Sequence, residues 1–526
     1  MNTLIRGTDI SQHALTVATC TFLGYIIGFF AQIIMAKYFG ISKLMDIYII
    51  ASSIPTFIYG LLSGVSISAL MIIFTKYKNQ HGIDNSGIFA SSIFNIGVLF
   101  FSVVSILMAV FSPLIIPLIA PGFLSENLKT AIKLSQLLSI TILFLGLSDI
   151  TATILYTKRC FAMPALSKAI ISFSIIASAF FLKSKLGIFS LAVGSILGSF
   201  LALQSQALIL IKKGARYSFI LDFKNKILKQ IVDLSRPLLL TGFLFYLNKL
   251  ITQVIATTLP SGNVAALNYS FTLISIPVLV LAGSIATAIY PRITQCVTEG
   301  KNGELKFILQ SAIRLTFFLL LPISLAAIIL RNSLVKALFQ RGMFDSRATE
   351  LTASTLAFYA IGLVAYGLDP IFAKLFYSLE RIKMRAILIF LLLLLNICLS
   401  LILAKFYHSN GLAIATSISY LALIIISFFA LRKNFIDGKG WQLFWPLIKI
   451  VLVSAAMGGI LIVSVNICEK NGISGIFALL ALSFTGCASY FFFSKIIRIE
   501  ELETIISMFK KAAYKYAPFL SKAIET

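Results

Sequence analysis

The chain has 526 residues, of which 59% are hydrophobic and 12% are charged, and its mean hydropathy is +0.98. So apolar a composition excludes a water-soluble globular protein, which needs polar surface on all sides. The net charge of +25 could suit nucleic acid, but the basic residues recur in alternate loops, as in membrane proteins. The sequence therefore predicts a multi-pass membrane protein without a nucleic-acid partner.

Fourteen apolar segments are long enough to cross a bilayer as helices, which takes about 20 residues each. In chain order they lie at roughly 14–36, 44–75, 88–119, 132–156, 164–183, 187–211, 234–258, 266–291, 307–330, 350–378, 384–405, 410–431, 444–467 and 471–494. The predicted fold is all-α, a polytopic membrane protein with about 14 transmembrane helices.

These spans divide the chain into predicted domains. The first six spans form an N-terminal lobe, 1–211, and the next six form a C-terminal lobe, 234–432. A basic cytoplasmic linker, 212–233, joins the lobes. Two additional spans within 433–494 and a cytoplasmic tail, 495–526, follow.

The two predicted lobes carry the same short motifs at an offset of 222 residues. The matched pairs are Gly40 and Gly262, Asp46 and Asn268, and Ser53-Ile54-Pro55 and Ser275-Ile276-Pro277. Because the repeated unit holds an even number of spans, both lobes have one orientation and the repeat is parallel. Such repeats are typical of transporters, whose halves rock to open a central cavity to alternate sides of the membrane.

The distribution of Lys and Arg over the loops predicts the orientation. Loops 212–233, 292–306 and 381–385 are rich in basic residues, whereas 259–265 and 331–349 belong to a poorer alternating set. Cytoplasmic loops carry the excess of Lys and Arg. We therefore expect the richer loops and both termini to face the cytoplasm of a bacterial cell and the poorer loops to lie outside.

Motifs for catalysis, metal binding or nucleotide binding are missing from the sequence. The three histidines and six cysteines are scattered without metal-type or disulfide spacing. No glycine-rich phosphate loop precedes a lysine. The sequence therefore predicts no cofactor, no metal site and no enzyme. Transport would be driven by a gradient through a coupling ion, or would run downhill.

Four ionisable residues within predicted spans are candidate site residues, since a charge at the bilayer centre costs at least about 2.5–3.5 kcal/mol. Lys249 is either a cavity cation or a snorkelling or internally paired lysine. Asp46 is either a helix N-cap or a gating residue. Asp369, before Pro370, fits a cap or kink, and Lys374 lies close enough along the helix to pair with it.

Pro55 and Pro277 occupy matching places in the second and eighth spans. Proline interrupts the helical hydrogen-bond ladder and allows a bend. We predict that both residues are hinges beside a central cavity, with static packing as the alternative.

Several segments resemble the MurJ (MviN) family in their order and spacing. They are Ala36-Lys37-Tyr38-Phe39-Gly40, Ala120-Pro121-Gly122-Phe123, Ile154-Leu155-Tyr156-Thr157, Leu338-Phe339-Gln340-Arg341-Gly342-Met343-Phe344 and Phe376-Tyr377-Ser378. The resemblance covers nearly the whole chain. It implies the fourteen-span fold of the MOP exporter superfamily, and flipping of the lipid-linked peptidoglycan precursor lipid II across the bacterial inner membrane.

The resemblance also implies a central cavity lined by arginines, which this chain lacks. Aligned on Gly28 and Gly40, the chain has Tyr25, Ala31 and Gln32 in the arginine-bearing stretch of the first span. Tyr59 and Thr272 stand where arginines are expected in the second and eighth spans. The predicted substrate and gating residues are thus Tyr25, Asp46, Tyr59, Lys249, Thr272, Asp369 and Lys374.

These observations predict a flippase for a lipid II-like precursor that works by alternating access, with membrane lipids around it. The alternatives are a flippase for another undecaprenyl-pyrophosphate-linked glycan, or a multidrug exporter of the same superfamily. An enzyme or a scaffold is a more distant alternative. The charge of the cavity discriminates between them, because an anion carrier needs positive charge there and a cation exporter needs carboxylates.

Overall fold

The computed structural model describes residues 2–215, 217–222, 226–432, 441–471 and 475–507. These ranges contain no β-strand, and the predicted all-α fold is confirmed. The helices are α1 (Asn2–Phe39), α2 (Lys43–Ile119), α3 (Ser125–Thr157), α4 (Ala162–Leu186), α5 (Phe189–Lys212), α6 (Lys226–Thr257), α7 (Asn263–Pro277), α8 (Gly283–Thr298), α9 (Asn302–Ile329), α10 (Arg331–Phe339), α11 (Ser346–Ile361), α12 (Leu363–Ser378), α13 (Ile382–Ala430), α14 (Trp441–Lys470) and α15 (Ile476–Ile496).

The described helices account for the predicted spans. Twelve helical segments are long and apolar enough to cross a membrane, two of them in α2 and one running from α7 through α8. The pair α11 and α12, bent by 47°, is a thirteenth candidate. One of the twelve, α13, has 49 residues and breaks at His408, where φ is 50° and ψ is −131°. Dividing α13 at this kink gives the fourteenth predicted span. The chain is therefore a multi-pass membrane protein.

The chain forms two compact units. Unit 1 comprises Met1–Tyr269, Phe339–Ala348 and Leu393–Leu412. Unit 2 comprises Ser270–Leu338, Thr349–Leu392 and Ala413–Thr526. Helix α6 thus belongs with the first five helices. The predicted lobes at 1–211 and 234–432 are defined by the sequence repeat, whereas the two units are defined by compactness. The lobes therefore stay predictions.

Parts of the predicted linker, of the additional spans and of the tail fall outside the described residues. They are 216, 223–225, 433–440, 472–474 and 508–526.

Small residues bring helices of unit 1 into close contact. A side chain at Gly194 or Gly198 of α5 would come within 2.8 or 2.7 Å of the Cα atoms of Ile175 and Ile171 in α4. This Gly-x-x-x-Gly spacing lets two helix backbones approach inside a membrane, where packing drives association. Helices α4 and α5 are thereby held close together, and both line the cavity described below.

In unit 2, the two last spans pack on α9. Phe318 of α9 lies in a buried cluster with residues of α14 and α15, and the Tyr490 hydroxyl donates to the Phe318 carbonyl at 2.8 Å. Residues 500–507 are helical, and their Leu502 joins this cluster. Arg314 of α9 pairs with Glu501 at 3.1 Å. The described part of the predicted tail is therefore anchored on α9.

Candidate functional site

A cavity of about 330 Å³ lies inside unit 1 and is lined by residues of α1 to α7. Its wall is rich in hydroxyl and amide groups, contributed by Gln32, Ser52, Thr56, Thr141, Ser195, Ser199, Gln253 and Asn268, among others. Among the described residues that line it, Lys249 alone carries a charge. Such a wall can donate to and accept from many sugar hydroxyls, and it can offer one cation to an anion.

Helix α6 turns two polar faces in different directions, which places Lys249 in the cavity. On one face, Asn396 of α13 donates to the Asn248 side-chain oxygen at 2.8 Å and to the Thr252 hydroxyl at 3.1 Å. On the other, Lys249 is exposed and lines the cavity with Gln253. No carboxylate of the described residues pairs with Lys249 within 4.0 Å. The geometry favours a cavity cation over an internally paired lysine.

Asp46 holds the start of another helix. Its carboxylate oxygens accept hydrogen bonds from the backbone N–H groups of Gly262, at 2.5 Å, and Ala265, at 2.8 Å, where α7 begins. The cap of its own helix is Ser42, whose hydroxyl accepts from the Met45 N–H at 3.3 Å. The alternative of an N-cap on its own span is therefore wrong. A carboxylate at a helix N-terminus is stabilised by free N–H donors and the helix dipole.

Four loops meet around this contact, and we call them the loop cluster: residues 37–42, 120–123, 257–263 and 340–345. The Met343 N–H donates to the Lys37 carbonyl at 2.9 Å. A Cβ atom at Gly40 would collide with the Met343 carbonyl, and one at Gly122 would collide with the Thr257 carbonyl. The glycines in the family-like motifs therefore let loops distant in sequence touch through their backbones.

An aromatic group lies under the loop cluster. The Tyr269 ring is 5.3 Å from Phe339 and 5.8 Å from Phe344 between centroids. Its hydroxyl donates to the Gly40 carbonyl at 3.3 Å. The cluster is thus closed by apolar packing as well as by hydrogen bonds.

Cavity and loop cluster adjoin. The lining residues Met35, Tyr48 and Asn268 lie within two helical turns of Gly40, Asp46 and Ala265, respectively. The loop cluster therefore lies beside one end of the cavity. Pro55 also lines the cavity, inside the N-terminal part of α2, and its role as a hinge stays a prediction.

Tyr25 and Tyr59 are not among the residues that line the cavity. The Tyr59 hydroxyl donates to the Asp149 carboxylate at 3.3 Å and accepts from Ser63 at 3.4 Å. The Tyr25 ring lies 5.2 Å from the Lys168 ammonium group. Both tyrosines thus contact charged side chains. Sequence reasoning did not choose Asp149 for the site, because a carboxylate at the end of a span is common and does not by itself indicate a function.

In unit 2, Asp369 forms a buried ion pair with Arg385 at 2.6 Å. Lys374 instead lies over the Tyr290 ring, 4.6 Å from its centroid. The predicted pair of Asp369 with Lys374 is wrong, because Arg385 reaches back from α13 to the carboxylate. Arg385 itself was expected in a cytoplasmic basic loop and is 3% exposed.

Two further predicted residues lie in α7, toward its end in unit 2. The Thr272 carbonyl accepts from the Ser275 hydroxyl at 2.9 Å. Pro277 is followed directly by one π-helical turn, Val278–Ala282. A π-turn beside proline is a common cause of a helix bend. The structure therefore has an irregularity at the predicted hinge, while the motion itself stays a prediction.

A family model described as "Lipid II flippase MurJ" matches residues 35–483. The chain is 26% identical over 437 residues to "Probable lipid II flippase MurJ" of Borreliella burgdorferi, covering 83% of this chain and 86% of that protein. It is 24% identical over 461 residues to "Lipid II flippase MurJ" of Burkholderia cenocepacia, covering 85% and 88%.

Among solved structures, "Lipid II flippase MurJ, inward closed conformation" superposes with a TM-score of 0.76 at 26% identity, covering 92% of this chain and 98% of that one. An inward-facing MATE family multidrug transporter of the MOP superfamily superposes at 0.68 with 15% identity, covering 80% and 97%, which shows a shared fold alone. The chain belongs to the MurJ family, as its motifs predicted.

Proposed function

From this family membership we propose that the chain flips a lipid-linked peptidoglycan precursor of the lipid II type across the bacterial inner membrane by alternating access. The observation that carries the proposal is the cavity in unit 1, with polar walls, one cation and the loop cluster beside it. Sugar hydroxyls would bind the Ser, Thr, Asn and Gln side chains. The phosphate would meet Lys249, and the polyprenyl chain would stay in the bilayer.

The charge of the residues that line the cavity supports an anionic lipid-linked glycan, and not a cationic drug, as the substrate. A cation exporter needs carboxylates that face its substrate. No Asp or Glu of the described residues lines the cavity, whereas Lys249 does. The multidrug alternative therefore has less support than an anionic lipid-linked sugar.

We further propose that Asp46 is a latch. With the loop cluster outside, as the basic loops predict, the Asp46 contacts to Gly262 and Ala265 would hold the cavity closed toward the exterior. Each hydrogen bond to a charged group is worth about 1.5–3 kcal/mol, enough to hold a state yet small enough to be released. Opening to the exterior would break both bonds. Coupling to an ion would act by changing this balance.

The substrate is tested by reconstituting the protein in vesicles with a fluorescent lipid II analogue and, in parallel, a fluorescent cationic drug. We expect protein-dependent movement of the lipid between leaflets and no transport of the drug. Vesicles without protein give the background. Transport of the drug without movement of the lipid would reject the proposal in favour of the multidrug alternative.

The orientation is tested with single cysteines in a cysteine-free background. Ser261 is exposed in the loop cluster, Ser346 is exposed directly after it, and Thr298 is exposed at the end of α8. We expect Ser261→Cys and Ser346→Cys to react with an impermeant thiol reagent on intact cells and Thr298→Cys to react only after lysis. The opposite pattern would invert the proposed topology, including the cytoplasmic termini.

A further inference from the structure

Between α5 and α6, residues 217–222 form a non-helical segment that lies on α2, and we call it the strap. The Asn95 amide of α2 donates to the carbonyls of Ser218 and Ile220, both at 3.1 Å. It also accepts from the Tyr217 hydroxyl at 2.7 Å. One side chain, that of Asn95, thus binds three of the six strap residues within unit 1.

Two serines of α2 complete the attachment. Ser91 accepts from the Ser218 N–H at 3.2 Å, and Ser92 accepts from the Asp222 N–H at 3.1 Å. Backbone groups of every second strap residue, 218, 220 and 222, therefore face α2. A peptide recognised in this way is held in one register, because each shift by one residue would lose these bonds.

The strap presents apolar side chains on its free side. Phe219 is 79% exposed, and Tyr217 and Leu221 are also largely exposed. A phenylalanine so exposed on an anchored backbone is unfavourable in water, where burying its ring would gain about 25 cal/mol per Å². We therefore expect these side chains to lie in an apolar environment.

The position of the strap supplies that surrounding. Ser91, Ser92 and Asn95 lie in the first turns of the candidate span Gly87–Ile119, whose mean hydropathy is 2.5. The span has 33 residues, more than the about 20 needed to cross the hydrocarbon core. Its first turns therefore lie at the membrane interface, where aromatic side chains concentrate.

Charge beside the strap is strongly positive. Exposed Lys212 and Lys213 precede it, and the Lys158 ammonium group donates to the Lys213 carbonyl at 3.2 Å. Residues 210–230 contain six Lys and Arg against one acidic residue, Asp222. Aromatic side chains flanked by basic ones are the combination that binds an anionic membrane surface.

We propose that the strap and the lysines beside it form an interfacial anchor that binds anionic phospholipid at the membrane surface. Phe219 and Leu221 insert among the acyl chains next to α2, and Lys158, Lys212 and Lys213 attract the phosphate groups. The anchor fastens the junction between the two sequence halves to unit 1 and to the leaflet. It does not depend on which substrate the cavity carries.

Tryptophan fluorescence tests the insertion. The native tryptophans are Trp441 and Trp445. In a Trp441→Phe/Trp445→Phe background, the full chain with Phe219→Trp is reconstituted in vesicles that contain lipids brominated on their acyl chains. We expect blue-shifted emission, strong quenching by brominated lipid and weak quenching by aqueous acrylamide. The matched control Asn302→Trp, exposed at the start of α9, should show the reverse. Acrylamide quenching at 219 equal to that at 302 would overturn the proposal.

Two comparisons sharpen this result. Brominated phosphatidylglycerol should quench the tryptophan at 219 more than the same amount of brominated phosphatidylcholine, and equal quenching would reject the preference for anionic lipid. Asn95→Ala removes the three bonds of that side chain, so it should raise acrylamide quenching at 219. If the added Asn95→Ala leaves quenching at 219 unchanged, the attachment to α2 does not position the strap.

Discussion

Asp46 in unit 1 and Asp369 in unit 2 are both buried carboxylates in helices of a membrane protein, but different partners neutralise them. Asp46 accepts from two backbone N–H groups at a helix start. Asp369 pairs with the guanidinium of Arg385, itself buried. Backbone donors can be rehydrated when a helix end moves, whereas separating a buried ion pair leaves two charges in an apolar surrounding. The first arrangement suits a latch and the second suits a permanent joint.

The largest effect of this difference is expected in unit 2. Asp369→Ala leaves Arg385 without its partner and should lower the free energy of unfolding by about 3–5 kcal/mol. Thermal unfolding of the purified protein in detergent measures the loss. The double variant Asp369→Leu/Arg385→Met, which replaces both charges, should recover most of it. A single variant as stable as the parent would show that the pair is not a structural joint.

At the latch, the effect on stability should be smaller, because the open state already lacks these bonds and limits the loss, while the effect on transport should be large. Asp46→Ala removes charge-assisted bonds worth about 1.5–3 kcal/mol each from the closed state only. Since 1.4 kcal/mol is tenfold in an equilibrium, losing both bonds should make the loop cluster open at least about a hundred times more often. Labelling of Val264→Cys, buried next to the latch, reports this opening.

Asp46→Ser distinguishes the latch from a simple cap. One serine hydroxyl cannot reach both the Gly262 and Ala265 N–H groups, so flipping should fall in this variant too. Serine caps a helix about as well as aspartate does. Full activity in Asp46→Ser, with unchanged labelling of Val264→Cys, would contradict the latch.

The smallest expected effect concerns the backbone contact beside the latch. Gly122→Ala places a methyl group against the Thr257 carbonyl, so it should destabilise the closed loop cluster by about 1–3 kcal/mol. Gly87 is the matched control, because a Cβ atom there meets nothing within 4 Å. Gly87→Ala should be neutral or slightly stabilising. Equal unfolding temperatures and equal flipping for the two variants would show that the loop cluster does not depend on the close contact of Gly122 with the Thr257 carbonyl.

Hydropathy and motif spacing predicted the helical fold, the spans and the family, because the bilayer imposes helix lengths that a sequence displays directly. The partners of Asp46 could not be predicted, since they are backbone N–H groups 216 and 219 residues away. Arg385 was misplaced for a related reason. A basic residue at a helix start has the same local sequence whether it faces the cytoplasm or turns inward to Asp369.

The cavity shows the same limit of sequence reasoning. Lys249 was identifiable as an intramembrane charge, but its direction depended on Asn396 of α13 binding Asn248 on the neighbouring face of α6. Tyr25 and Tyr59 were chosen by position in the family pattern, yet they contact Lys168 and Asp149 and are not among the residues that line the cavity. Which face a helix presents is a property of packing, and it appears only in three dimensions.

The most direct test of the central claim, that the cavity of unit 1 binds an anionic lipid-linked glycan, is flipping by variants of Lys249. Methionine fits an apolar span, so Lys249→Met should leave the protein folded and inserted while abolishing flipping of labelled lipid II in vesicles. Lys249→Arg keeps the charge and should retain part of the activity. Protein amount and unfolding temperature are measured alongside. Undiminished flipping by a well-folded Lys249→Met variant would contradict the account.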